Sequence, residues 1–438
     1  MATLAIPFCG QAYADRSLDA NAQWSVNLYP FKSPVEGNPN RIVMYPTPGY
    51  ALLRDLTQIG IPGVGEIRGF FEVNGVLYLI SGSRFLKATY DGDYHFTAVG
   101  TLDSSTGRCS IVCNTVQIAI SDGIAGYTYN LSSGAFAPIG TSGSFPASGG
   151  VTNFTYMDGY VLAGVKGGTR TIQSNVLDAT TFGAQAFANT TSFPDDIVSV
   201  FSDQNQLYIF GSKLAEVRAD SGKTPFAFEK MQGVLIQAGC AAVHSIVKAG
   251  GSIIWLAQDV AGKCFVAALD GYNPKVLSTA PINEIFERYD TVSDAFGYSY
   301  READDQFYVI TFPSEGTTWA LDLKNGWWHE RSVGGGRDLP NHYITWLGKH
   351  LVGDSNGKLW WMSQDYSTDP NGDGLTRIRT CQHASADGAS IFLHEIWIDC
   401  EAGTGTLDGQ GKNPLATLEI SRDGGHTWTN LGAQPMGA

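Results

Sequence analysis

The sequence has little charge. Only 16% of its 438 residues are charged, against roughly 25% in an average soluble domain. The 42 acidic residues outnumber the 28 basic ones, the net charge is −14, and no stretch is strongly basic. A protein that grips nucleic acid through its phosphates needs clustered Lys and Arg, so the composition argues against that class. Scarce charge is also typical of surfaces that other subunits cover.

Long apolar runs are missing as well. No window of the sequence approaches the roughly 18 apolar residues of a membrane span. The first seven residues lack the basic start and the apolar length of a signal peptide. We therefore expect a soluble protein that stays where it is made, or leaves by cell lysis.

Residue patterns that carry chemistry are missing too. The seven cysteines form no C-x-x-C pair, and Cys109 and Cys113 have no second ligand pair near them. We predict reduced, half-buried thiols. The eight histidines show no metal-binding spacing, and no nucleophile, base and orienting group can be assembled from the sequence. We therefore predict no catalytic, cofactor-binding or metal-binding residues, and a protein that is not an enzyme.

Glycine is abundant instead, at 52 residues, which favours short strands joined by tight turns. Seven times, at intervals of roughly 45 residues, a polar turn leads into a short alternating strand, and this period is typical of propeller blades. The seven units begin at Asn74, Asn114, Asp158, Asn205, Gly250, Asp305 and Gly348. The sequence predicts an all-β fold with a β-propeller-like domain of six or seven irregular blades. The number stays open because one longer interval contains a predicted helix and an end unit could belong to the C-terminal part.

Changes in composition divide the chain into three parts. Residues 1–65 are Pro-rich, which excludes sheet interiors, so we expect an extended N-terminal arm with short strands near 24–28 and 41–45. Residues 66–366 hold the β-propeller-like domain and one predicted helix over 278–289, which Thr279 or Ser278 caps. Residues 367–438 are expected to form a small C-terminal β-hairpin domain. Its predicted strands are 376–380, 391–399 and 416–421, with a Gly-rich loop at 403–412.

One motif near the C-terminus resembles the "Asp box" of sialidase-like propellers. Residues 421–428 read S-R-D-G-G-H-T-W. The Asp of this motif caps a hairpin turn and the Trp packs beneath it, so the motif predicts a β-hairpin. It is weak evidence for a glycosidase, because the acidic and tyrosine residues of such a site cannot be assembled here.

Two further motifs favour turns over functional sites. Residues 353–357 match the G-x-S-x-G nucleophile elbow, yet they join two predicted strands where the elbow requires a strand and a helix. Asp369, Asn371 and Asp373 stand at the first ligand positions of a calcium loop, but Thr380 replaces its bidentate Glu. We interpret both as turns, and cation binding by the second stays open.

Motifs spread over most of the chain resemble a phage protein family. The N-terminal part contributes Asn27-Leu28-Tyr29-Pro30, Thr47-Pro48-Gly49 and Arg68-Gly69. The central stretch, 196–289, contributes residues 207–217, Gly239-Cys240 and Gly271-Tyr272-Asn273-Pro274; the C-terminal part contributes 403–405 and 421–428. Together they resemble the packaged-DNA stabilisation proteins of short-tailed bacteriophages, also called tail accessory or nozzle proteins. Members of that family usually continue for several more strands, so the C-terminal β domain is expected to be incomplete or completed differently.

The resemblance implies a structural virion protein of the tail, assembled in the host cytoplasm. A homohexameric ring, or nozzle, would extend the DNA channel below the portal and the head-to-tail adaptor. It would stabilise packaged DNA and support the tail needle or tip and the spikes or fibres. Double-stranded DNA would pass without sequence-specific binding, since an acidic lumen repels phosphates. The alternative is a β-propeller glycan-binding protein or glycosidase acting on host surface polysaccharide.

Overall fold

The structure is a computed structural model that describes residues 8–14, 22–33, 42–192, 194–381, 395–400 and 414–436. Within these residues the chain forms a seven-bladed β-propeller. We number the blades 1 to 7 in the order of their first, innermost strands. The inner strands of blades 1 to 4 contact one another in order, those of blades 5 and 6 contact each other, and the inner strand of blade 7 contacts that of blade 1.

Blades 1 to 4 are antiparallel sheets of four consecutive strands, ordered from the ring axis outward. Blade 1 comprises Ile67–Val73, Val76–Ser81, Arg84–Tyr90 and Tyr94–Thr101, and blade 2 comprises Ser110–Cys113, Gln117–Ser121, Gly126–Asn130 and Phe136–Pro138. Blade 3 comprises Val151–Met157, Tyr160–Val165, Arg170–Gln173 and Phe187–Asn189, and blade 4 comprises Ser199–Asp203, Gln206–Phe210, Ala215–Asp220 and Phe228–Ile236.

Blades 5 to 7 depart from this plain pattern. Blade 5 comprises Gly239–Cys240, Val247–Ala249, Ser252–Gln258, Cys264–Asp270 and Asn273–Val276, and both of its short first strands pair with the third. Blade 6 comprises Phe296–Glu302, Asp305–Phe312, Thr317–Asp322 and Trp327–Glu330, with Ser25–Val26 and Ile378–Arg379 added at its outer edge. Blade 7 comprises His342–Trp346, Lys349–Gly353, Lys358–Ser363 and, from the N-terminal part, Gly49–Asp55.

The ring is closed by this last strand. Gly49–Asp55 pairs antiparallel with Lys358–Ser363, about 300 residues further along the chain, and forms the outer strand of blade 7. A short 3-10 helix, Leu56–Gln58, then leads into blade 1. Two segments that we placed in the N-terminal arm are therefore strands of blades 6 and 7. The division of the chain at residues 65 and 366 stays a prediction.

The seven sequence units lie at the turns that lead from the inner strand of each blade to the next strand, with Val247–Ala249 counted as the inner strand of blade 5. The propeller has seven blades, one of the two numbers that the sequence left open. The reason that these units mark the blades is local. Residues at these turns adopt the left-handed conformation, as Asn74, Asp158 and Asn205 do with φ of 55°, 51° and 59°. Asn, Asp and Gly tolerate this conformation best, which explains the polar signal at each unit.

Seven hydrophobic clusters hold the blades together, one at each junction between neighbouring sheets. Alternate residues of a strand point to opposite faces. In blade 1, Leu79 therefore packs toward blade 7 while Ile80 packs toward blade 2. Large aromatics fill several junctions, as Trp255 does between blades 4 and 5, where its ring lies 5.4 Å from that of Phe210.

The predicted helix is confirmed as Ala280–Glu287, in the connection between blades 5 and 6. Thr279 is its N-cap residue, although the Thr279 side chain makes no capping hydrogen bond. Ile282 and Phe286 are buried against the cluster between these blades, with Ile285 and Tyr289 beside them. This is the apolar face that the 3.6-residue spacing predicts.

Smaller pairings complete the described structure. They are Tyr13–Ala14 with Ala22–Gln23, Leu28–Lys32 with Ile42–Pro46, Ser332–Val333 with Gly336–Arg337, and the C-terminal hairpin Leu415–Ile420 with Thr429–Pro435.

The predicted strand over 391–399 is wrong where it can be checked, because residues 395–399 belong to no strand. Residues 391–394 and the predicted loop 403–412 lie outside the described residues. No described helix is long and apolar enough to cross a membrane.

Candidate functional surfaces

The Asp box forms the turn of the C-terminal hairpin, as predicted. The carboxylate of Asp423 accepts hydrogen bonds from the backbone N–H and the hydroxyl of Thr427, at 2.8 and 2.6 Å, and from the Ser421 hydroxyl at 2.8 Å. These bonds, those from Thr427 first, lower the pKa of the exposed Asp423. The Trp428 indole donates to the carbonyl of Gly425 at 3.1 Å. All of these hydrogen bonds lie within the motif, which therefore stabilises its own turn.

The G-x-S-x-G sequence is also a turn between two strands, as predicted. It joins Lys349–Gly353 to Lys358–Ser363 in blade 7. Asp354, which is buried, accepts backbone N–H bonds from Asn356 and Lys358 at 2.8 Å each, and the indole N–H of Trp360 at 3.1 Å. Ser355 is exposed at the tip. A nucleophile elbow needs a helix after the serine, and a strand follows here.

The calcium-like sequence forms a third Asp-centred turn. The Oδ1 atom of Asp369 accepts the backbone N–H groups of Asn371 and Asp373, at 2.8 and 3.0 Å. Within the described residues no group of three or more His, Cys, Asp and Glu side chains is placed to hold a metal ion. All seven cysteines are free thiols.

Residues of the N-terminal family motifs converge where the ring closes. Asn27 is buried with φ of 56°, and its amide bonds the backbone of Ser332, just after blade 6, and the carbonyl of Thr376. Gly49 begins the closing strand, and a Cβ there would lie 2.4 Å from the carbonyl oxygen of Tyr366. The backbone therefore approaches too closely for any residue but glycine. These motif residues position the closing strand.

Arg68, in the inner strand of blade 1, organises the connection to blade 2. Its guanidinium is fully buried and donates to the carbonyls of Gly82, Ser104, Thr106 and Gly107, at 2.6–2.9 Å. A buried cation is tolerated when its donors are all bonded in this way. No local pattern predicted this role, because the bonded loop lies 36–39 residues further along the chain.

The inner strands surround a central channel, and side-chain hydrogen bonds join several neighbouring strands around it. The Asn153 amide of blade 3 bonds both the N–H and the carbonyl of Val200 in blade 4, at 3.0 and 2.8 Å. Ser110 accepts the Phe154 N–H between blades 2 and 3, and Ser199 donates to the Val243 carbonyl between blades 4 and 5. Neighbouring inner strands thus do not depend on apolar contacts alone.

A cavity of about 310 Å³ occupies this channel. Its wall comes from blades 2, 3, 4, 5 and 7 and includes Arg108, His244 and His342. The Arg108 side chain reaches from the start of blade 2 to the start of blade 7, where it donates to the Asn341 carbonyl and to His342 Nδ1 (3.2 Å). Its guanidinium also stacks on the ring of Phe296 in blade 6, 3.9 Å from the centroid. Sequence reasoning missed this arrangement, which no local spacing signals.

The comparison that decides the family covers most of the chain. The family model described as "Bacteriophage P22 Gp10, beta-propeller" matches residues 4–367. The chain belongs to this family. The resemblance to a phage protein family, predicted from the sequence, is thereby confirmed. The protein is a structural protein of a bacteriophage and a component of its virion. No curated protein matches the chain.

Solved structures resemble this family member only as propellers. The N-terminal domain of Nup159 is 10% identical with a TM-score of 0.45, and the match covers 78% of this chain and 98% of that one. The extracellular domain of BT4673 from B. thetaiotaomicron is 10% identical with a TM-score of 0.47, covering 72% and 39%. The WD40 β propeller domain of Doa1 is 14% identical with a TM-score of 0.44, covering 74% and 99%. Similarity at this level carries no functional information.

The two ends of this phage propeller differ in charge. One end carries the turns between first and second and between third and fourth strands, and we call it the acidic end. Accessible acids at and next to these turns are Glu72, Asp91, Asp93, Asp158, Asp178, Asp203, Asp220, Glu229, Asp270, Glu302, Asp304 and Asp365, and the accessible bases are Lys223, Lys248, Lys275, Arg301, Lys324 and Lys349. Burial and neighbouring carboxylates raise the pKa of Asp158, beside Asp220, and of Glu302, beside Asp365.

The opposite end carries the remaining turns and the connections between blades, and its charge is mixed. Its accessible acids are Asp55, Glu66, Asp103, Asp195, Asp196, Asp259, Glu284, Glu287, Asp290, Asp294 and Glu315. Its accessible bases are Arg84, Arg108, Lys166, Arg170, Lys213, Lys263, Arg288, Arg337 and Lys358. The excess of negative charge therefore lies at the acidic end.

Proposed function

We propose that this virion protein is a tail nozzle: a homohexameric ring below the portal and the head-to-tail adaptor that extends the DNA channel. In this role it stabilises packaged DNA and supports the tail needle or tip and the spikes or fibres. The observation that carries the proposal is the family match over residues 4–367. The scarce overall charge supports it, since subunit interfaces are depleted in charge.

The DNA path in this proposal runs through the lumen of the hexamer. The channel of a single propeller is crossed by the Arg108 side chain, which links blade 2 to blade 7. Duplex DNA therefore has to pass between subunits. We propose that the acidic end of each propeller faces this lumen, because a wall of like charge repels phosphates and lets a duplex slide without sticking.

Assembly is the first test. Purified protein, alone and mixed with its portal and adaptor, is examined by negative-stain electron microscopy and by mass photometry. Six-fold rings, or six copies bound to the portal–adaptor complex, are the expected result. A protein that stays monomeric and never joins that complex would contradict the nozzle role.

Charge reversal tests the orientation. Asp93, Asp270 and Asp304 are exposed at the acidic end and make no side-chain hydrogen bond within the described structure. A phage carrying all three as Lys is expected to eject its genome more slowly, with a stronger salt dependence, because the lumen would now bind phosphates. The control carries Asp196, Glu287 and Asp290 as Lys at the opposite end, where Glu287 forms an exposed ion pair with Lys263 at 3.1 Å, a kind of pair that contributes little to stability. Slower ejection by the control alone would reverse the orientation while leaving the ring in place.

We further propose that the protein acts without catalysis. The observation behind this is that the Asp box and the G-x-S-x-G sequence both form hydrogen-bonded turns between strands. The alternative, a glycan-binding or glycosidase propeller, predicts binding or shortening of host surface polysaccharide. Incubating the protein with that polysaccharide and analysing the products by size-exclusion chromatography separates the two, and cleavage would overturn the proposal.

A further inference from the structure

The cavity in the central channel has the composition of an anion site. Its wall includes the cation Arg108, the imidazoles of His244 and His342, the hydroxyls of Ser110, Thr155 and Ser199, and the amide of Asn153. Among the described residues that line it there is no carboxylate. These residues come from five blades, so whatever occupies the cavity contacts most of the ring at once.

Arg108 forms no ion pair within the described residues, and the carboxylate of Glu66 acts on its charge only from beyond ion-pair distance. Within the described residues its guanidinium bonds only the Asn341 carbonyl and His342 Nδ1, and no carboxylate lies within ion-pair distance. Desolvation lowers the pKa of Arg108 to about 9, which is the electrostatic signature of a poorly compensated cation. The guanidinium of Arg68, in the inner strand of blade 1, is better compensated, because it donates to surrounding carbonyl oxygens. The positive charge of Arg108 is thus not neutralised by a paired carboxylate, and a bound anion would be stabilised beside it.

The histidine bonded to Arg108 adds a second donor. A guanidinium can only donate, so Nδ1 of His342 must accept, and burial keeps the pKa of His342 well below its usual range. The neutral ring therefore carries its proton on Nε2. Within the described part of the chain, neither this Nε2–H nor the Nε–H of Arg108 has an acceptor. Unpaired buried donors are costly, so the wall of the cavity is short of acceptors.

We propose that the central channel binds a small oxyanion, of the phosphate or carboxylate class, beside Arg108 and His342. The cavity of about 310 Å³ is large enough for such an ion and its water. The anion would offset the charge of Arg108 and accept the hydrogen bonds that the wall offers. Because the wall includes residues of blades 2, 5 and 7, the bound anion would stabilise the contacts between these blades around the central channel.

The test measures thermal unfolding of the purified full chain. Sodium phosphate and sodium acetate are titrated separately against sodium chloride at matched ionic strength and pH. The melting temperature is expected to rise and then saturate with at least one oxyanion and not with chloride, as binding to the folded state alone requires. An equal response to all three salts would overturn the proposal.

Arg108→Met locates the site, and Arg170→Met is the matched control. Arg170 also stacks on a phenylalanine, with its guanidinium 4.3 Å from the ring centroid of Phe187, but it lies outside the cavity. The oxyanion-dependent rise should disappear in Arg108→Met and persist in Arg170→Met. A rise that survives Arg108→Met would place the anion elsewhere and overturn the proposal.

A direct measurement covers the case in which Arg108→Met does not fold. Crystals of the natural sequence are soaked in selenate, and the anomalous difference map is inspected at the selenium edge. A peak within hydrogen-bond distance of Arg108 supports the proposal. A map with no peak in the central channel, at a selenate concentration that saturates the thermal shift, contradicts it.

Discussion

His329 is fully buried in blade 6, and neither of its ring nitrogens has a hydrogen-bond partner among the described residues. Its ring packs among aromatics, with centroids 5.8 Å from those of both Tyr29 and Phe307. Burial, followed by the charge of Arg331, lowers the pKa of His329 to about 3. The side chain is thus held neutral in the folded protein, and its packing resembles that of an aromatic hydrocarbon.

This histidine is expected to make the protein acid-sensitive. Between pH 6.5 and about 3 the unfolded chain binds a proton at His329 that the folded chain does not, so the free energy of unfolding falls as the pH falls. The loss from this one residue is about 2 kcal/mol at pH 5. His329→Phe should lose less stability between pH 7 and pH 5 in urea unfolding. His95→Gln is the control, since the His95 side chain is 57% exposed, and equal pH dependence in all three proteins would contradict the argument.

The buried ion pair between Arg331 and Asp338 gives a second prediction. Nε of Arg331 lies 2.8 Å from Oδ2 of Asp338, and the Tyr50 hydroxyl, from the closing strand, donates to Asp338 and accepts from Arg331. Removing one charge leaves the other buried and unpaired, so Arg331→Met and Asp338→Asn should each lower stability by about 3–5 kcal/mol. The double variant should cost less than the two single changes together. Strictly additive losses in urea unfolding would show that the pair is not coupled.

At the scale of the single strand, the closing strand Gly49–Asp55 depends on close packing at its first residue. A Cβ at position 49 would meet the Tyr366 carbonyl oxygen at 2.4 Å. Gly49→Ala is therefore expected to lower the free energy of unfolding by about 1–3 kcal/mol and to expose the strand to proteases. Gly140→Ala is the control, because nothing lies within 4 Å of a Cβ there. Similar losses in both variants would contradict this reading.

Elements with a local signal were predictable, and those that pair over long distances were not. The turns at Asn74 and Asp158 need residues that tolerate positive φ, and the helix Ala280–Glu287 shows its apolar face in its spacing. The closing strand has no such signal, because its partner lies about 300 residues away. For the same reason the Asp box turn was predicted from eight consecutive residues, whereas the contact of Arg108 with His342 was not.

At the scale of the whole molecule, the propeller is one closed ring that begins and ends outside the predicted domain of residues 66–366. Its outer strands draw on Ser25–Val26, Gly49–Asp55 and Ile378–Arg379. The C-terminal hairpin is different, since its strands pair only with each other within the described structure. The family model likewise stops at residue 367. The N-terminal part of the chain therefore contributes strands to the ring, whereas the C-terminal hairpin contributes none within the described structure.

Truncation is expected to show that difference. A chain of residues 1–381 keeps every strand of the seven blades, so its thermal transition, followed by circular dichroism, should match that of the full chain. A chain of residues 66–438 loses the outer strand of blade 7 and the Asn27 contacts, which leaves the edge of that sheet unpaired and its apolar face open. It should melt earlier or aggregate. A large loss of stability in the first chain, or a full-length melting temperature in the second, would mean that the ring closes in another way.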